Sequence, residues 1–356
     1  MPITKQNILE QLERITDLEP DQIKRLAWCD GAVQVVIEVI GDDAQQQKMR
    51  QQVETAIGAL GPEVQKIAIE VATPHGQESA PGPNQPMAAD GNPLPNVRQI
   101  VAVGAGKGGV GKSTIAVNLA VGLARQGATV GLMDGDIYGP SIPTMLGINH
   151  LEVQSRGDRF LPFEAHGIKT ISIGCLVEDD KPLIWRGPMA HGAFRQLATQ
   201  TNWGPLDFLV IDLPPGTGDV PLTMSQLLPL TGAVIVCTPQ KVAQDDAIRA
   251  LAMFRQLGVQ VLGVVENMSY FVGNDLVEYD IFGRGGAQFM AEQQSVPFLG
   301  GIPINMRLRQ NCDAGNPTAN FEGQDPLATA LPALVAHFQT QVQANQGQAK
   351  PTISVH

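Results

Sequence analysis

From residue 98 onward, short apolar runs closed by Gly, Asp or Pro alternate with longer segments whose apolar positions recur at helical spacing. The short runs predict strands at Ile100–Val103, Thr129–Met133, Ile168–Ile173, Phe208–Ile211, Ala233–Cys237, Val261–Val265 and Phe298–Leu299. The longer segments predict helices at Lys112–Gln126, Met189–Thr199, Val242–Leu257 and Leu327–Val342. This alternation implies an α/β fold, a mostly parallel, doubly wound sheet joined by right-handed crossover helices. Such a sheet places its ligand at the carboxyl ends of the strands.

The first 72 residues follow another order: helix Gln6–Ile15, strand Ala32–Ile40, helix Gln45–Leu60 and strand Val64–Val71, a small α+β domain. Residues 73–97 hold six prolines among Gly, Ser, Asn and Gln. That composition cannot bury a core and predicts a flexible linker. Residues 98–342 then form the α/β domain, and 343–356 a polar tail.

Composition adds bounds. A chain of 356 residues with 43% hydrophobic and 17% charged content is of ordinary globular make-up. Its formal net charge of -11 argues against a general surface for nucleic acid or for an anionic membrane. Neither a signal peptide nor a bilayer-spanning run is legible, so a cytoplasmic location is the expectation. The four cysteines, Cys29, Cys175, Cys237 and Cys312, include no Cys-x-x-Cys pair. They suggest neither a disulfide framework nor a local metal site.

Directly after the apolar run Ile100-Val101-Ala102-Val103, residues Gly106-Lys107-Gly108-Gly109-Val110-Gly111-Lys112-Ser113-Thr114 fit G-x-x-x-x-G-K-[ST] from Gly106 to Ser113. Strand, glycine loop and helix stand in the order a phosphate-binding loop requires. Backbone N–H groups turn inward on the phosphates, and the helix adds its positive end. Lys112 is the candidate for the β- and γ-phosphates and Ser113 for Mg²⁺.

Two acidic strand ends supply the rest. Asp134-Gly135-Asp136 follows the second strand, where a carboxylate can approach Mg²⁺ or orient the attacking water. The run Phe208-Leu209-Val210-Ile211-Asp212 has the form of a Walker B strand, whose carboxylate reaches the metal. Gly216, in the loop beyond it, can offer its N–H to the γ-phosphate. Catalytic candidates are therefore Lys107, Lys112 and Asp136, and Mg²⁺ candidates Ser113, Asp136 and Asp212.

Lys107 is not needed by the general loop motif. It resembles the signature lysine of the deviant Walker A ATPases, the MinD, ParA, Mrp and nitrogenase-iron-protein superfamily, in which this lysine crosses a dimer interface to the partner's nucleotide. The resemblance implies an ATP-sandwich homodimer, with Asp136 the water-activating carboxylate and Asp134 its support. Finer motifs resemble the Mrp/ApbC branch: Trp185-Arg186-Gly187-Pro188-Met189, Asp212 to Asp219, Glu266-Asn267-Met268-Ser269-Tyr270-Phe271, Leu299-Gly300-Gly301-Ile302-Pro303 and Asp313-Ala314-Gly315-Asn316-Pro317. That branch implies an ATPase that assembles or carries iron–sulfur clusters, with a [4Fe-4S] cluster as candidate cargo and apo iron–sulfur proteins or assembly factors as partners. It also implies that Asn267 meets the adenine and that Pro303 lines the adenine pocket.

Two departures accompany the resemblance. Branch members that bridge a cluster usually carry Cys-x-x-Cys just after the Tyr-Phe pair, and this chain has Val272 to Tyr279 there without a cysteine. The N-terminal domain looks like a degenerate iron–sulfur assembly domain, with Gly41-Asp42-Asp43-Ala44 where a Cys-Pro usually stands. Alternative functions are a MinD/ParA-type positioning ATPase and an ATP-gated scaffold without a cluster. The first would want a basic C-terminal amphipathic helix. The stripe Leu331, Leu334, Val335, Phe338 and Val342 has no Lys or Arg beside it between Arg309 and Lys350, and is read as packing on the core.

Overall fold

The computed structural model describes residues 5–12, 15, 22–29, 32–38, 43–60, 66–72, 92–136, 139–157, 159–176, 187–216 and 218–346. The chain falls into two units, Met1–Pro86 and Met87–His356. Most of the expected linker, Trp185-Arg186 and residues 347–356 lie outside the described residues.

The first unit runs α1 (Lys5–Leu12), β1 (Ile23–Cys29), β2 (Ala32–Glu38), α2 (Asp43–Gly58) and β3 (Lys66–Ala72). Its sheet has the order β1-β2-β3, antiparallel and then parallel. Ile8 and Leu12 of α1, Val33, Val35 and Ile37 of β2, and Met49, Val53 and Ile57 of α2 make one apolar core. The period of two in β2 and of three to four in α2 is what turns one face of each inward. Strand β1 is the element sequence reasoning omitted. Lys24 and Arg25 interrupt its alternation, and pairing with β2 is what orders it.

In the second unit the elements are β4 (Val97–Gly104), α3 (Lys112–Arg125), β5 (Val130–Asp134), α4 (Ile142–Leu146), β6 (Gln154–Arg156), β7 (Arg159–Leu161), β8 (Phe163–Ala165) and β9 (Ile168–Ser172). There follow α5 (Gly187–Gln200), β10 (Leu206–Asp212), α6 (Asp219–Leu227), β11 (Gly232–Cys237), α7 (Lys241–Gln256) and β12 (Val261–Val272). The chain closes with β13 (Glu278–Tyr279), α8 (Gly286–Gln293), β14 (Phe298–Ile304), α9 (Met306–Asp313) and α10 (Pro326–Gln346).

The nine-stranded sheet has the order β13-β12-β11-β4-β10-β5-β9-β8, with β14 pairing β12. Only β8 and β13, at opposite ends, pair antiparallel. Its central strands are apolar on both faces because helices cover both. Ile100, Ala102, Leu209 and Ile211 pack under α5, α6 and α7; Val101, Val103 and Val210 pack under α3 and α10. The apolar stripe of α10 lies in this second layer, with Leu331, Leu334, Val335, Phe338 and Val342 each at most 2% exposed.

Strand β4 lies between β10 and β11, while the chain leaves it for β5 beyond β10. The connections therefore diverge at the carboxyl end of β4, which opens a crevice there. Several elements differ from their expected bounds; β4 begins at Val97 rather than Ile100, and α1 ends at Leu12, short of Ile15. β12 continues to Val272 and β14 to Ile304, because each finds a paired neighbour beyond its apolar run. α10 runs to Gln346, four residues into the expected tail.

Candidate functional site

The loop 105–111 leaves the buried end of β4 and enters α3. Gly109 and Gly111 have φ of 80° and 81°, a region that L-residues with a Cβ rarely adopt. Gly106 meets a different limit: a Cβ there would stand 2.1 Å from the Asp246 carbonyl oxygen of α7. No side chain caps α3 at Gly111. Its first N–H groups, with the helix dipole behind them, are available to an anion. Lys107, Gly108 and Gly109 are exposed, Val110 is buried, and Ser113 and Thr114 are half-buried.

Lys112 is buried, and its Nζ donates to Asp212 Oδ1 at 2.6 Å and to Ser113 Oγ at 3.2 Å. Asp136 Oδ2 lies 3.6 Å from the same ammonium. One cation thus sits among the three groups expected to hold Mg²⁺. Asp212 Oδ2 is buried without a hydrogen-bond partner. Two carboxylates and a hydroxyl, one carboxylate oxygen still unpaired, fit a hard divalent cation that keeps several waters. Burial raises the Asp212 carboxyl above its ordinary value, against the opposing pull of Lys112.

Parallel pairing sets Asp134 of β5 directly opposite Asp212 of β10. Asp134 accepts from Ser172 Oγ at 2.8 Å and from the Asp136 N–H at 3.1 Å. Burial, and then the charge of Asp212, push its carboxyl up to about 7. Asp134 therefore supports the loop bearing Asp136, and Ser172 is a supporting residue that a strand-end serine did not announce.

Gly216 (φ 92°) commits its N–H to the Ala105 carbonyl at 2.9 Å. Offering that N–H to a phosphate, as expected from sequence, requires this bond to break. Asn267 is 4% exposed and donates from Nδ2 to the Val110 carbonyl at 2.8 Å, so it braces the phosphate loop directly. Pro303 is buried on β14, next to Ile302, which pairs with Asn267. Glu266, quoted above only as part of a motif, proves to be a buried carboxylate beside Asn267.

The two cysteines whose side chains are described, Cys237 and Cys312, do not converge. Cys237 and Cys312 belong to the apolar layers on opposite faces of the sheet. Burial pushes the Cys237 thiol up to about 12 and also raises that of Cys312. The side chains of Cys29 and Cys175 lie outside the described residues. Among the described residues no three His, Cys, Asp or Glu side chains gather as a metal site. Where the resemblance implies a Cys-x-x-Cys, β12 and β13 form a hairpin closed by Gly273 N–H to the Val277 carbonyl, with Leu276 85% exposed at its turn.

A phosphate loop at the divergence point of a parallel sheet, backed by a lysine and two strand-end carboxylates, defines a P-loop nucleoside triphosphatase. The family model for ParA, described as NUBPL iron-transfer P-loop NTPase, matches residues 96–339. The iron-sulfur cluster carrier protein of Synechocystis sp. is 46% identical over 295 residues, 81% of either chain. That of Deinococcus radiodurans is 51% identical over 251 residues, 70% of this chain and 71% of its own. A nucleotide-binding protein from Archaeoglobus fulgidus, solved in complex with ADP, superposes with a TM-score of 0.58 at 38% identity, over 65% of this chain and 91% of its own. MinD from Pyrococcus horikoshii, solved with Mg-ADP, shares the fold, with a TM-score of 0.53 at 20% identity over 71% of this chain and 100% of its own.

The chain belongs to the NUBPL iron-transfer P-loop NTPase family. It is an ATPase of the ParA class. Among the described residues no helix is long and apolar enough to cross a membrane.

Proposed function

We propose that this ATPase assembles or carries iron–sulfur clusters for apo-proteins, working as an ATP-sandwich homodimer with Mg²⁺. The observation that carries the reading is the buried Lys112–Asp212 pair at the foot of the phosphate loop, in a chain 46% identical to an iron-sulfur cluster carrier protein. Lys112 is shared between Asp212 and Asp136. Nucleotide binding offers its ammonium the β- and γ-phosphates instead, and releases both carboxylates. Ser113, Asp212 and Asp136 would hold Mg²⁺, which when bound neutralises charge on the transferring phosphoryl group.

Asp136 then orients the attacking water, while Asp134 and Ser172 hold its loop. Lys107 is exposed, and no ion pair with a described residue detains it. It is free to reach a nucleotide held by a second copy. Asn267 and Pro303 form the adenine side. Because Gly216 is bonded to Ala105 across the loop, breaking that bond links the γ-phosphate to the Asp212–Asp219 loop. The cluster is cargo, a [4Fe-4S] cube in this reading, and needs thiolates. Cys237 and Cys312 are poor donors, since burial opposes their ionisation.

The test is direct. Lys112→Ala should abolish nucleotide binding, whereas Lys107→Ala should keep binding and lose ATP-dependent dimerisation and hydrolysis, followed by light scattering and phosphate release. An unaffected dimer removes the sandwich. Anaerobic reconstitution with iron and sulfide, read by absorption, should load the chain, and Cys237→Ser and Cys312→Ser should load equally. A chain that takes up no cluster acts as an ATP-gated scaffold instead.

A further inference from the structure

Five apolar residues of β12, Val261 to Val265, end at Glu266, whose carboxylate is only 1% exposed. A carboxylate taken out of water is costly unless hydrogen bonds replace its hydration. Glu266 receives three. Ser269 Oγ donates at 2.6 Å and the Gly285 N–H at 2.9 Å, both to Oε1, and the Ala287 N–H donates to Oε2 at 2.7 Å. Gly285 is the N-cap of α8 and offers no side chain, so Glu266 caps that helix from another strand.

The bond from Ser269 closes a tight bend. Between its ends Met268 has φ 56°, a conformation an unbranched residue holds only when its surroundings enforce it. Gly301 on the adjacent strand makes room, since a Cβ there would come within 2.9 Å of Ser269 Oγ. Asn267 lies inside the bend, donating to Val110; a Cβ on Gly111 would stand 2.1 Å from its Nδ2. The bend therefore sets where Asn267 stands against the phosphate loop.

We propose that Glu266 is a positioning residue for nucleotide recognition, holding the Glu266–Ser269 bend so that Asn267 meets the base in register with the loop. This rests on the reading of Asn267 as the adenine partner. It joins the Glu-Asn-Met-Ser and Leu-Gly-Gly-Ile-Pro segments of this chain: Gly301 admits the serine that locks the glutamate. Glu266→Gln keeps the volume but replaces an acceptor oxygen with an amide that donates toward N–H groups.

The experiment measures displacement of a fluorescent ADP analogue from the full chain by ATP and by GTP, with melting temperatures alongside. Asn267→Ala and Glu266→Gln should each narrow the ATP-over-GTP preference by about tenfold, as expected when one well-placed hydrogen bond is lost. The double variant should narrow it no further than either single one. Ser269→Ala, which leaves the carboxylate in place, should shift it less and in the same direction, and decides the matter if Glu266→Gln does not fold. If Asn267→Ala narrows the preference while Glu266→Gln and Ser269→Ala only lower the melting temperature, Glu266 is a structural cap and the proposal falls. If Asn267→Ala leaves the preference intact, the adenine reading itself fails and takes the proposal with it.

Discussion

Asp134 shows how one buried side chain can oppose stability while serving the site. Its folded-state pKa of about 7 stands above the ordinary 3.8. Between those values the unfolded chain gives up its proton and the folded chain keeps it, so stability falls as pH rises and levels off above about pH 7. Asp134→Asn removes this penalty, and its amide can donate to Ser172 Oγ where the native carboxylate accepts. Its gain in melting temperature should be near zero at about pH 4, grow toward pH 7 and then stay constant, measured by calorimetry on the nucleotide-free protein. A gain independent of pH would contradict the assignment. Cys237, whose thiol burial pushes up to about 12, should resist alkylation in the native protein and react only after unfolding, as mass spectrometry of labelled peptides would reveal.

Three elements brace the phosphate loop: Asn267 of β12 beneath Val110, the Gly216 loop against Ala105, and α7 against Gly106. Its shape is thus a property of packing as much as of glycine content. Gly106→Ala tests this, because the added methyl must push the loop away from the Asp246 carbonyl, and overpacking of this kind costs about 1–3 kcal/mol. Nucleotide affinity should drop with the melting temperature, whereas an alanine tolerated without either change would mean the loop is not held by α7. The hairpin of β12 and β13 is the element whose role changed most between sequence and structure. The position where the family resemblance implies cluster ligands holds an exposed turn with Leu276 and Val277 instead.

At the scale of the whole chain, the two units draw their cores from separate residues: Ile8 to Ile57 in one, Leu94 to Val342 in the other. A fragment covering residues 92–346 should therefore melt in one cooperative transition that ATP raises by mass action. Loss of that transition would mean the second unit depends on the first. The parallel sheet and its phosphate loop were legible in the sequence because their signals are local. The apolar run, the glycines where φ must be positive and the lysine at the helix start all lie between Ile100 and Lys112. Strand β1, the sheet ends β8 and β13 and the extension of β12 were not, since pairing with distant strands decides them. The same division runs through the site. Lys112, Asp136 and Asp212 were named from motifs, but only the fold brought Asp134 opposite Asp212, joined Gly216 to Ala105 and buried Glu266 beneath α8, because those contacts span from about 20 to over 100 residues and exist only once the sheet has assembled.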